Sequence, residues 1–239
     1  IINMPPRYMK SLVTNVAWPA FLLGHAPERR IISASYAQML ATKHAVDTRL
    51  VMQSAWYRAM FPAVKLSADQ NEKDKFVTTA RGHRIAVSVG SAVTGEGGDF
   101  LIVDDPLNPA QANSLAARTR AREWFEHTFT SRLDNKRRGV ILVVMQRLHR
   151  DDLSGYLMER GGFSQLVLPA IAPERQILTI GEWRMERNAG DVLHEAREDK
   201  ALLEQTQREM GAQAFAAQYQ QAPLMSDEGI IRLEWFVRY

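Results

Sequence analysis

The stretch "FLIVDDPLNP" (100–109) constrains the fold more than any other. An unbroken apolar run drives straight into two adjacent acids and a proline. Such a run marks a strand buried on both faces, because a half-buried strand alternates apolar and polar side chains. The same signature recurs in "RRIISAS" (29–35) and "GVILVVMQ" (139–146), with helix-patterned segments between the runs. Buried strands alternating with helices imply an α/β fold: a mostly parallel sheet with helices on both faces.

The remaining segments fill in this frame. "LVTNVAWPAFLLG" (12–24) reads as a helix kinked at Pro19, and 36–61 as one or two helices. "FVTTA" and "RIAVSVG" around Gly82 read as a hairpin, 109–134 as one long helix, and "FSQLVLPAI" as another strand. After about residue 170 long apolar runs give way to polar sequence and a helical stretch, so a boundary is expected there.

Composition excludes several classes. The 239 residues carry no cysteine, which removes disulfides and thiolate metal sites and fits a reducing compartment such as the cytoplasm. No apolar run approaches the roughly 20 residues that span a bilayer, so no membrane association is expected. The formal net charge is only +3, so nucleic-acid binding cannot be argued from the balance. Local basic clusters do occur, at Arg29-Arg30, at Arg118, Arg120 and Arg122, and at Lys136–Arg138. Their ordinary alternative is a solvated face. A chain opening in "IIN" without Met reads as a piece of a longer polypeptide.

Three places carry chemistry. "MPPRYMKS" (4–11) joins a strand to a helix, and in the register of the phosphate-binding loop Lys10 and Ser11 occupy the Lys-Ser pair. Met4 and Met9 stand where the motif has glycine. Lys10 would reach the β- and γ-phosphates, the Ser11 hydroxyl would bind Mg²⁺, and Arg7 adds a cation. The second place is the acid pair: Asp104 at the end of a buried strand suits a Mg²⁺ ligand, and Asp105 could orient or deprotonate water. The third is Gln146-Arg147 at the end of the strand 139–146, where Gln146 would sense a γ-phosphate and Arg147 would stabilise developing charge. Gly95, Gly97 and Gly98 suit a loop near nucleotide or DNA. Each has a plain alternative: a Lys-Ser helix start, an Asp-Asp turn, a flexible loop. His149 with Asp151 and Asp152 is a poor metal set, and Asp152 suits a helix N-cap instead.

Taken together, "NMPPRYMKS", "IISASYAQMLA", "VTGEGGDFLIVDDPLNP", "EWFEHTFTSRLD", "VVMQRLHRDDLSGYL" and "FAAQYQQAP", in that order, resemble the ATPase part of the large terminase subunit of tailed bacteriophages and prophages. The resemblance implies a P-loop NTPase-like core with a small C-terminal lid or linker subdomain, and an ATP hydrolase that drives double-stranded DNA into a procapsid. It implies phosphate-loop roles for Arg7, Tyr8, Met9, Lys10, Ser11 and Leu12. Ser11 and Asp104 become Mg²⁺ ligands, Asp105 takes the position of a water-activating acid, and Gln146-Arg147 takes that of a coupling motif. The implied boundaries are a core over 1–170, a lid over 171–226, and the start of a nuclease domain at 227–239, with no nuclease activity expected of this piece. The implied partners are DNA, the portal protein and the small terminase subunit, within a homo-oligomeric ring on a procapsid in the bacterial cytoplasm. The departing methionines leave an alternative open: a catalytically impaired prophage remnant or assembly module that binds portal or small terminase without ATP turnover.

Overall fold

The computed structural model describes residues 1–93 and 95–224. They form two compact units, Met9–Met145 and a second made of Ile1–Tyr8 with the described residues from Gln146 onward. The expected start of a nuclease domain at 227–239 lies outside the described residues.

The chain opens with β1 (Ile2–Asn3). In the Met9–Met145 unit, a π-helical stretch Leu12–Ala17 runs into α1 (Trp18–His25). Then come β2 (Arg30–Ser35), α2 (Gln38–Gln53), α3 (Ala55–Met60), β3 (Leu66–Asn71), β4 (Lys75–Thr78), β5 (His83–Ser88) and β6 (Phe100–Asp104). α4 (Leu115–Glu123) and β7 (Val140–Met145) complete the unit. Its strands lie in the order β3-β4-β5-β2-β6-β7. β5, β2, β6 and β7 are parallel, while β4 runs antiparallel to both β5 and β3. Successive residues of β2 and β6 are buried, so both faces of the sheet are covered, as their unbroken apolar runs require. On one face Ala20, Leu23, Ile31, Met52, Tyr57, Phe76 and Ile102 form a core cluster.

Three local readings change. The expected long helix over 109–134 is broken: a 3-10 turn at Pro109–Gln111 precedes α4, and a π-helical turn at Trp124–Phe129 and a 3-10 turn at Thr130–Arg132 follow it. Ser114 caps α4 by accepting from the Ala117 N–H at 3.3 Å, so the new start is set by a side chain within the expected helix. The kink expected at Pro19 is a widening upstream of it, where the Trp18 N–H bonds the Val13 carbonyl five residues back. β3 is an addition, an edge strand whose "LSADQN" is mostly exposed and shows no apolar period.

In the second unit β1 pairs in parallel with β8 (Leu166–Val167), after α5 (Leu153–Arg160). β9 (Gln176–Ile180) and β10 (Trp183–Arg187) form an antiparallel hairpin in the polar region after residue 170. α6 (Lys200–Met210) and α7 (Ala212–Gln218) follow, separated at Gly211, whose φ of 86° ends the first helix. Ala170, Leu203 and Phe215 pack together as a small core. Among the described residues no helix is long and apolar enough to cross a membrane.

Candidate functional site

Parallel register sets one edge of the sheet. Ser88 aligns with Ser35, Ser35 with Asp104, and Asp104 with Val144, so the carboxyl ends of β5, β2, β6 and β7 form one row. Ligands of open parallel sheets sit outside such ends. Asp104 closes β6 and is fully buried. At Asp105 the ladder stops: its N–H donates to the Val144 carbonyl (2.9 Å) and its carbonyl accepts from the Tyr36 N–H (3.1 Å). Its φ is +44°, a left-handed conformation that costs a non-glycine residue about 1–3 kcal/mol.

The helix start lies against this corner. Lys10 Nζ is 3.0 Å from Asp105 Oδ2, and Ser11 Oγ donates to Asp104 Oδ1 at 3.0 Å. Lys10, Ser11, Asp104 and Asp105 therefore converge within one unit. Met9, in a glycine position of the motif, has φ +61° and so takes the glycine conformation. Leu12 and Met9 are exposed.

Behind the corner is a buried polar network absent from the sequence reading. Asn15, one turn beyond Ser11 and fully buried, donates from Nδ2 to Asp104 Oδ2 (3.2 Å) and to His44 Nδ1 (3.0 Å). Its Oδ1 accepts from Arg84 Nη2 (3.0 Å) and from the Ser33 hydroxyl. Its backbone carbonyl would ordinarily accept from residue 19, but Pro19 has no N–H. Arg84 Nη2 (3.1 Å) and Thr48 Oγ1 (3.3 Å) bond that carbonyl instead. Burial pushes His44 down to about 4, aided by Arg84 and Lys43, so its imidazole is neutral and accepts from Asn15. Burial pushes the Asp104 carboxyl up, against the pull of Ser11, Asn15, Lys10 and Arg84. The available signals were the polar "TN" inside an apolar helix and an arginine inside the strand "RIAVSV", but neither names its partner.

Other candidates lie in the second unit. Arg7 is exposed with φ +66°, and Tyr8 is buried with the Arg197 guanidinium 5.8 Å over its ring. Gln146 is buried directly after β7. Arg147 is also buried, and its Nε bonds both Asp152 oxygens at 3.0 Å. Its Nη2 bonds the carbonyls of His149 (3.3 Å) and Arg150 (3.0 Å). These are the bonds of an anchor for the turn into α5. Asp152 caps α5 by accepting from the Gly155 N–H at 2.8 Å.

The glycine loop sits at the opposite end of β6 from Asp104. Gly98 bonds the backbone of Arg132 and Asp134 (2.9 and 3.0 Å), and a Cβ on Gly97 would meet Asp134 Oδ1 at 1.8 Å, so close packing accounts for Gly97 and Gly98, whereas Gly95 has open space around it and a φ of +76°. Arg118 is buried and donates to the Ala112 carbonyl at 2.7 Å, which makes it part of the fold, whereas Arg120 and Lys136–Arg138 are exposed.

The sequence matches no family model and no curated protein. Solved structures do match. The large terminase ATPase domain of Thermus phage P74-26 aligns over 94% of this chain and 88% of its own, with TM-score 0.60 and 13% identity. The HK97 bacteriophage large terminase aligns over 72% of this chain at TM-score 0.46 and 14% identity, and this chain spans only 35% of its length. The bacteriophage phi-29 packaging motor aligns over 91% of this chain and 62% of its own, at TM-score 0.40 and 11% identity. On the P74-26 alignment, the chain has the fold of a phage large terminase ATPase domain.

Proposed function

We propose that this chain is the ATPase of a viral DNA-packaging motor, coupling ATP hydrolysis to movement of double-stranded DNA into a procapsid. The observation that carries the reading is the convergence of Lys10, Ser11, Asp104 and Asp105 at the carboxyl edge of the sheet, in contacts of 3.0 Å. Lys10 binds the β- and γ-phosphates, exchanging its contact with Asp105 for the nucleotide. The Asp105 carboxylate so released orients the attacking water and takes its proton. The donor set fits Mg²⁺: the Ser11 hydroxyl and Asp104 carboxylate are hard oxygens, and this ion needs only one or two carboxylates beside phosphates and waters. Its binding there would neutralise charge on the phosphate oxygens. The left-handed conformation of Met9 supplies the glycine-like backbone that a phosphate-binding turn needs, with Leu12 following in the helix start. Arg7, Gln146 and Arg147 belong to the other unit, and the cationic, coupling and charge-stabilising roles that the resemblance implies for them are part of the same reading. The residues from 171 act as lid or linker. Exposed Arg120 and Lys136–Arg138 are the candidate DNA-phosphate contacts. Assembly into a homo-oligomeric ring with portal and small terminase, in the bacterial cytoplasm, belongs to the same reading.

Thermal stabilisation by ATP with Mg²⁺ tests it. The wild-type melting temperature should rise, and Lys10→Ala and Asp104→Ala should each abolish the rise. Duplex DNA should stimulate phosphate release more than single strands do. No nucleotide response by the intact chain would sink the reading.

A further inference from the structure

The functional reading assigns the surface of the phosphate corner but leaves Arg84 unexplained. This arginine is fully buried, and among the described residues its Nε and Nη1 have no hydrogen-bond partner. Taking a cation with unmet donors out of water is costly. A function elsewhere accounts for its presence. The one nitrogen it does use, Nη2, bonds both the carbonyl and the side-chain oxygen of Asn15.

That double bond fixes an orientation. Guanidinium groups only donate, so Asn15 must turn its amide oxygen toward Arg84 and its NH₂ away. The NH₂ then faces Asp104 Oδ2 at 3.2 Å and His44 Nδ1 at 3.0 Å. Asp104 Oδ2 is tied back into the protein, and Oδ1 is left to Ser11. Ser11 and Asn15 lie four residues apart around the widened turn Leu12–Ala17, which lets both reach the same carboxylate.

We infer that Arg84 and Asn15 are positioning residues that hold the Asp104 carboxylate with one oxygen presented to Mg²⁺. The inference rests on the functional reading above. It goes beyond it by assigning a role to two residues that no phosphate-loop motif contains. Outer partners of metal-binding carboxylates typically alter metal affinity by about 10–100-fold when removed.

The test is a Mg²⁺ titration of the ATP-dependent rise in melting temperature, for wild type, Arg84→Met, Arg84→Lys, Asn15→Ala and the control Tyr57→Phe. Tyr57 Oη bonds the Ala20 carbonyl at 2.8 Å in the core, so Tyr57→Phe removes a buried bond away from Asp104. Arg84→Met and Asn15→Ala should each require about tenfold more Mg²⁺ for the half-maximal rise. Arg84→Lys should fall between them and wild type, and Tyr57→Phe should lower the melting temperature without changing the Mg²⁺ requirement. Arg84→Met also removes a positive charge that favours the ionised Asp104 carboxylate, so its own melting temperature should fall, and the Mg²⁺ requirement is the readout that a merely structural role would not move. If Asn15→Ala does not fold, the two Arg84 variants decide. Wild-type Mg²⁺ dependence in those variants overturns the inference alone, whereas a wild-type chain unresponsive to ATP at any Mg²⁺ concentration overturns the functional reading and the inference with it.

Discussion

Ser11 Oγ lies 3.0 Å from Asp104 Oδ1 although 93 residues separate them along the chain. The contact joins the first turn of a helix to the last residue of a buried strand. It brings a hydroxyl and a carboxylate together as a pair of hard oxygens, beside the ion pair of Lys10 and Asp105.

Asp105→Asn keeps the shape of the corner and removes one charge. Nucleotide-dependent stabilisation should survive, because Lys10, Ser11 and Asp104 are untouched. Turnover should fall by about 10²–10⁴-fold, the usual contribution of a positioned general base. Parallel thermal-shift and phosphate-release measurements separate the two effects.

Met9 holds a glycine conformation at φ +61°. Met9→Gly removes about 1 kcal/mol of left-handed strain while adding a similar entropy to the unfolded chain, so stability should change little. Met9→Pro locks φ near −65° and cannot make the turn. It should abolish the ATP response while a folded circular-dichroism spectrum persists. An ATP response retained by Met9→Pro would contradict the geometry.

Asp152 accepts from Arg147 Nε and from the N–H groups of Leu148, His149 and Gly155, all at 2.8–3.2 Å. Asp152→Ala strands a buried guanidinium and uncaps α5, so the unfolding free energy should drop by about 3–5 kcal/mol. Exposed Asp151→Ala should stay within about 0.5 kcal/mol. Urea titration distinguishes them.

Burial lowers two histidines, His44 to about 4 and His83, whose ring nitrogen lies 3.2 Å from the Gly97 carbonyl, in the same direction. An unfolded histidine takes its proton near pH 6.5, so below that pH the unfolded chain binds more protons than the folded one. Their stability contribution is complete above pH 6.5 and is lost as pH falls, by at most about 1.4 kcal/mol per pH unit for each histidine. His83→Gln should flatten the curve between pH 6.5 and 5 in urea unfolding at graded pH. An unchanged slope would show that His83 keeps an ordinary proton affinity.

How much was legible follows from how each feature is encoded. The hairpin at Gly82, the Asp152 cap and the strands β2, β6 and β7 were readable because each is a local pattern: a turn, a cap or a continuous β-branched run. β3 and the β9–β10 hairpin were not, because exposed strands owe their pairing to neighbours rather than to an apolar period. The helix over 109–134 lost its continuity to caps and wide turns that periodicity does not report.

The amino-acid order alone determined that this chain alternates buried strands with helices, and that Lys10-Ser11 and Asp104-Asp105 each stand where a helix begins or a strand ends. Only the tertiary structure decided that these pairs meet, and that Asn15 faces Asp104 because Arg84, 69 residues away, holds its amide oxygen. The reason is physical: backbone pattern depends on neighbours in sequence, whereas a buried hydrogen bond depends on which donor the fold brings to an acceptor that water can no longer reach.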